Sequence, residues 1–214
     1  MACENKIKVS LFVRKPFKVG NFSVEIYTQI IYKNIDNMFD VKIKQLPFRS
    51  KGILPRIINS LYALFNQSEI NHILGDIHYI AIFLNRKSTI LTILDSISLK
   101  AYKGIKRKII RLFWFKIPIR KSSLILTISE FTKNELLNEF NLPFNCKVLH
   151  LSVSKDFKNS NFTFNKHNPK ILQLGTAPNK NIENLAKGLV GIKCELIIVG
   201  KLSSSQLQAL KKNK

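Results

Sequence analysis

Apolar runs and apolar periodicities alternate along this chain. Residues 6–13 (KIKVSLFV) show little polar alternation, the pattern of a strand buried on both faces. Val24, Tyr27, Ile30 and Ile31 then recur at helical spacing, with Ser23 placed to cap that helix. Residues 41–46 read as a second strand. Residues 55–65 read as a helix with Pro55 in the first turn, where a missing N–H costs nothing. A third strand at 70–74, a short buried helix at 77–84 and a fourth strand at 89–94 follow. A helix over 101–115, a strand over 124–128, a helix over 130–140 and a strand over 146–153 complete the series. Ser129 caps the 130–140 helix, and Thr132 with Glu135 offers a second capping pattern. Such alternation predicts an α/β fold: a doubly wound, Rossmann-like parallel sheet with right-handed crossovers and helices on both faces. Strands 7–13, 70–74 and 89–94 should be central.

The pattern fails from 154 to 168, a stretch rich in Asn, Ser, Lys and Phe that ends at Pro169. This reads as a linker. The domain boundaries expected are therefore 1–153, a linker over 154–169, and a second domain over 170–214. Residues 170–201 form a βαβ pattern, and a helix over 203–210 follows. Between the first strand and helix of that unit lies a turn-rich loop, Gly175 to Asn181. A loop at the carboxyl end of a strand and the start of a helix suits an anionic ligand. Lys180 adds a cation there.

Composition narrows the classes. In 214 residues, 45% are hydrophobic and fifteen are Phe, which argues for a packed core and against disorder. Thirty-five Lys and Arg against thirteen Asp and Glu give a net charge of +22. That charge suits a polyanionic partner, or it is a solvated surface. Cys3, Cys146 and Cys194 lie far apart, without CxxC or His/Cys spacing, so they read as reduced cytosolic thiols rather than zinc ligands. The N-terminus lacks the apolar core of a signal peptide, and no run approaches the ~20 apolar residues of a membrane span. A cytoplasmic location is expected, with peripheral attachment at the inner face of a membrane as one option. Residues 100–121 carry nine Lys and Arg and no acid, with Ile105, Ile109, Leu112 and Phe113 as an apolar stripe. Three readings stay open for them: an anionic membrane surface, nucleic acid, or a crossover helix with solvated lysines. No helix-turn-helix, RNP or zinc-finger pattern supports nucleic acid.

Several strings carry a resemblance as an ordered set. Gly175 through Lys180-Asn181, then Glu183-Asn184-Leu185 and the strand Ile197-Ile198-Val199-Gly200, resemble the opening of the C-terminal domain of glycosyltransferase family 4 (group 1, GT-B fold). Residues 14–25 (RKPFKVGNFSVE) are similar to that family's first loop, where a glycine approaches the donor phosphates; the match is Gly20. Residues 71–84 (NHILGDIHYIAIFL) resemble an H-x-x-G-D element, which the strand pattern sets at the end of the third strand. The resemblance gives His72 and Asp76 catalytic or acceptor roles and places Gly75 between them. His78 reads as structural. Residues 89–96 (TILTILDS) resemble a strand-ending Thr-x-His-Asp element, with Leu94 at the histidine position and Asp95 retained. A leucine transfers no proton, and Asp95 equally suits a helix cap. Residues 124–135 resemble a strand-to-helix turn in which Ser129 is chiefly a cap, with a substrate contact second.

The resemblance implies transfer of a sugar from a nucleotide-sugar donor to a hydroxyl, saccharide or lipid-linked acceptor, without metal or other cofactor. Gly20, Gly175, Lys180 and Asn181 would serve the donor phosphates. Two departures weaken that site. Thr176 stands where many members have an arginine, and the family's glutamate pair has no counterpart before Lys214. The chain therefore resembles the first part of a protein about twice its length, a truncated and weakly active or inactive form. The alternatives are a non-catalytic remnant that binds a membrane or partner, and a basic nucleic-acid-binding module.

Overall fold

The computed structural model describes residues 6–17, 23–140, 145–151 and 163–213. The chain divides into two compact units, Met1–Asp156 and Phe157–Lys214. Gly20 and Cys3 lie outside the described residues, as does most of the expected linker.

The first unit is an α/β layer structure built on one parallel six-stranded sheet. Its elements begin with β1 (Lys8–Val13), α1 (Ser23–Ile35), β2 (Asp40–Gln45), α2 (Ile53–Phe65) and β3 (Ile70–Ile73). A 3₁₀ segment, His78–Phe83, leads towards β4 (Thr89–Ile93) and α3 (Ile97–Ala101). Then come α4 (Gly104–Ile110), a π-helical segment Arg111–Lys116, α5 (Ile117–Arg120), β5 (Leu124–Thr127), α6 (Glu130–Phe140) and β6 (Cys146–Val148). The strand order is β2-β1-β3-β4-β5-β6, and every pairing is parallel. The architecture is that of a Rossmann-like sheet flanked by helices, with β1, β3 and β4 inside it as their apolar runs require.

Strand alternation sends side chains to two different cores. Phe12, Ile73, Leu91, Ile93 and Ile125 join Ala63 of α2, the 3₁₀ segment, Phe115, Ile119, Leu136 and Phe140 in the larger cluster. Val9, Leu11 and Leu74 meet Tyr27 of α1 in the smaller one. The parallel register is consistent with this division, since Leu11 lies beside His72 and Phe12 beside Ile73.

Two expected elements differ. The helix predicted over 101–115 is broken, because Gly104 takes a left-handed φ of 58° and starts a new helix after Tyr102-Lys103. It then widens into the π segment. Of the strand expected over 146–153, Cys146–Val148 is strand, while residues 152 and 153 lie outside the described residues. Among the described residues its partner is β5, which stops at Thr127, and Leu149 N donates to Thr127 O.

The second unit holds β7 (Lys170–Leu174), a 3₁₀ turn Pro178–Lys180, α7 (Ile182–Gly188), β8 (Glu195–Val199) and α8 (Ser204–Lys212). β7 and β8 pair in parallel, as the βαβ pattern implies, and Lys170 meets Glu195 at 3.2 Å. Leu172, Leu174, Ile197 and Val199 form an exposed face of this two-stranded sheet. A capping box starts α8: Ser203 Oγ accepts from Gln206 N, and Gln206 Oε1 accepts from Ser203 N.

Among the described glycines of the first unit, Gly75 leaves the least room for a side chain. Its φ is 84°, and a β-carbon there would lie 2.9 Å from Val24 Cγ1 of α1. Gly75→Ala should therefore destabilise the first unit by about 2 kcal/mol through backbone strain and contact. Urea unfolding followed by circular dichroism measures this; an unchanged midpoint would refute the close approach.

Candidate functional site

In open parallel sheets a crevice forms where neighbouring crossovers leave in opposite directions, at the carboxyl ends of the strands. Here that point lies between β1 and β3, because the chain goes from β1 out to β2 and then back across to β3. A cavity of about 600 Å³ occupies this end of the sheet. Arg14 follows β1, Gly75 and Asp76 follow β3, and Leu94 and Asp95 follow β4; all line it. Ser50 and Arg56 contribute from the α2 side, His78 from the 3₁₀ segment, and Tyr102, Lys106 and Trp114 from the region between β4 and β5.

Charge in the cavity is mixed and tied down. Arg14 contacts Glu25 at 3.3 Å and Asp76 at 3.6 Å. The Trp114 indole N–H donates to the Asp76 carbonyl at 3.2 Å. Arg56 lies 4.6 Å above the Trp114 ring and donates from Nε to the Ser50 carbonyl. Tyr79, beneath, shares its hydroxyl with Ser50 and with Asn59 of α2. Asp76 and Asp95 are exposed, so both carboxylates can meet a ligand. Asp95 also accepts from Ile97 N, which makes it a turn residue at the start of α3.

His78, which the sequence reads as structural, lines the cavity. It is buried, and its Nδ1 donates to the Trp114 carbonyl at 2.8 Å, so the neutral ring carries its proton on Nδ1. Burial lowers its pKa. The Trp114 carbonyl, the charges of Asp76 and Asp95, and the Gly75 carbonyl oppose that shift. Burial thus favours the neutral imidazole, and the nearby carboxylates favour its charged form. No spacing rule on the sequence signals this, because the contact joins residues 36 positions apart.

His72 sits elsewhere. It lies within β3 on the face of Leu11 and Leu74, not on the cavity wall. Its Nε2 bonds Thr92 Oγ1 at 2.8 Å, and burial pushes its pKa down to about 4. It is a satisfied core histidine. Beside it the Tyr27 hydroxyl is buried with no hydrogen-bond partner of ordinary geometry. Burial raises the Tyr27 pKa, and the nearby Thr92 side chain opposes the rise in part.

Ser129 also stays off the cavity wall. Its Oγ accepts from Thr132 N at 3.2 Å, which is the cap expected for α6. The second capping pattern does not form, since Thr132 lies inside the helix and Glu135 instead holds Ser96 and Lys100.

The sequence matches no protein-family model and no curated protein.

In the second unit, Gly175 (φ 81°) closes β7, and its N–H donates to the Val199 carbonyl at 2.8 Å. The Lys180 stem runs back over Gly175, where a β-carbon would lie 3.4 Å from Lys180 Cε. Lys180 itself is exposed. Asn181 adopts a left-handed φ of 53° just before α7, with no side-chain cap. Thr176 is committed to the fold: its Oγ1 donates to the Lys201 carbonyl at 2.7 Å, and its own carbonyl accepts from Gln206 Nε2. A β-carbon on Gly200 would meet Thr176 Cγ2 at 2.9 Å, so this turn has no room for a longer neighbour.

The depressed His72 pKa links stability to pH. The unfolded ring titrates near 6.5 and the folded ring near 4. The unfolded state thus binds the proton more tightly, and stability rises with pH between those values. The contribution is fully present above pH 6.5 and is lost as pH falls towards 4; it amounts to about 3 kcal/mol. Urea midpoints measured from pH 7 to pH 4.5 should fall, and His72→Gln should flatten the curve. Equal slopes in both proteins would show that His72 is not buried neutral.

Proposed function

We propose that this chain acts in glycosyl transfer, as part of a GT-B-type enzyme that takes its sugar from a nucleotide-sugar. The observation that carries this reading is the cavity between the ends of β1, β3 and β4. Its carboxylates, arginines and aromatic rings suit a ligand that is polar at its hydroxyls and apolar on its ring faces. The ordered resemblance along the sequence supports the same class.

In this reading the first unit holds the acceptor. Asp76 and Asp95 accept hydrogen bonds from its hydroxyls. The acceptor oxygen attacks the anomeric carbon as the bond to the diphosphate oxygen breaks. The hydroxyl proton passes to a carboxylate or to His78, whose neutral form is favoured by burial. The departing diphosphate carries the negative charge that develops; taken by itself, the second unit offers such a group the Lys180 cation. Gly175 and Asn181 shape the loop that presents that lysine. Thr176, held by Lys201 and Gln206, offers no second cation. Donor binding should therefore be weak.

Calorimetry with uridine, guanosine and adenosine diphosphates tests the donor half. Dissociation constants on the order of millimolar are expected for at least one of them. Lys180→Ala should abolish the signal, and Asp95→Asn should leave it unchanged. Micromolar binding, or binding indifferent to Lys180, would overturn the assignment of this loop.

A further inference from the structure

Helix α2 is inside out. A surface helix ordinarily buries its apolar stripe and leaves polar residues to water. In α2 the buried residues are Asn59, Ser60 and Ala63. Asn59 is satisfied there: its Oδ1 accepts from Phe48 N, and its Nδ2 donates to the Phe48 carbonyl and the Tyr79 hydroxyl. The exposed residues are Ile53, Leu54, Ile57, Ile58, Leu61 and Phe65, with Phe65 82% and Ile53 75% accessible. At 100° per residue these positions fall within about 140° of arc, one continuous stripe. Such an apolar surface is uncommon on a free monomer and marks an interaction site.

The stripe has a neighbour of the same kind. Ile105, Ile109, Leu112 and Phe113 are exposed along α4 and the π segment. Both α2 and the π segment pack on the 3₁₀ segment His78–Phe83, and Arg56 of α2 stacks on Trp114 of the π segment. Basic residues surround both stripes. Arg49 and Lys51 precede α2, Arg56 lies on its opposite, cavity-facing side, and no acid occurs from Leu46 to Ser68. Lys103, Lys106, Lys108, Lys116, Arg120 and Lys121 accompany the second stripe, and no acid occurs from Ser96 to Ser129.

We propose that α2 and the α4–π segment together form a docking face for an anionic lipid bilayer, with the Ile53–Phe65 stripe entering the acyl boundary. The charge favours anionic headgroups, and the aliphatic stripe favours the layer beneath them. Nucleic acid fits less well, because it is gripped by phosphate contacts and aromatic stacking, and the stripe supplies neither along its aliphatic length. A second copy of this chain fits less well too, since both faces would carry the same sign of charge. Arg56, Lys106 and Ile109 also line the cavity, so the docking face borders it, but the proposal does not depend on what the cavity binds.

Sedimentation with vesicles of phosphatidylglycerol or of phosphatidylcholine tests the proposal on the full chain. The protein should pellet with the anionic vesicles and stay in solution with the neutral ones. Salt should weaken this binding without abolishing it, because the apolar component is not screened. The triple variant Ile53→Ser, Leu54→Ser, Phe65→Ser should bind anionic vesicles about tenfold or more weakly, and salt should then release it fully. Lys103→Glu with Lys108→Glu should also weaken binding about tenfold. All these residues are exposed, so unfolding midpoints should not move. Equal binding to both vesicle types, no binding to either, or unchanged binding by the triple variant would overturn the proposal. So would a dimer of the wild-type chain that the triple variant dissolves, or displacement from vesicles by single-stranded DNA with no loss in the triple variant.

Discussion

The reversal of strand order between β1 and β3 is the constraint on which the first unit depends. Parallel strands need long crossovers, and a sheet that grows in both directions must leave a gap where its crossovers diverge. That gap fixes where Arg14, Gly75 and Asp76 emerge. It also explains the glycine. The loop after β3 runs so close to α1 that Val24 fills the space a side chain would need at position 75. Asp76 is thereby held where Arg14 and the Trp114 indole both reach it. Backbone conformation, packing and candidate chemistry meet at these adjacent residues.

On the cavity's other side, polar groups do the positioning. Asn59 and Tyr79 are buried, and each is satisfied by the other and by Phe48 or Ser50. A buried polar network of this kind is costly if broken and specific if complete. It turns the polar side of α2 inward and leaves the aliphatic side out. The face that the cavity's architecture requires and the face proposed to meet a membrane are thus two sides of one helix. Trp114 joins them, since its carbonyl holds His78 and its ring carries Arg56.

Much of the fold was legible in the sequence. Strands buried on both faces announce themselves as unbroken apolar runs, and β1, β3 and β4 took the central places those runs imply. Periodicity, however, says that a helix has an apolar stripe and not which way the stripe faces. That is why α2 and the Ile105–Phe113 stripe could not be oriented beforehand. A left-handed glycine inside a helical pattern looks like a tolerated one, so the break at Gly104 was hidden. The candidate site was legible in part. Asp76 and Asp95 do line one cavity, because both follow strands that end on the same side. His72 does not, since side chains alternate along β3 and this position faces α1. His78, held by a carbonyl far along the chain, does line that cavity. The Lys180 stem lies where a side chain on Gly175 would be, as a tight turn at a strand end suggests.

The central claim is that the cavity at the switch point is where the chain meets its ligand. Trp114 is the only tryptophan in the sequence, and it lines that cavity. Its fluorescence can therefore be read during titration with methyl glycosides of common hexoses and with short oligosaccharides. The account predicts a saturable change in emission with at least one of them. It also predicts that Asp95→Asn, unchanged in circular dichroism, loses that response. Emission that ignores every saccharide, or an Asp95→Asn variant that responds like the wild type, would contradict it.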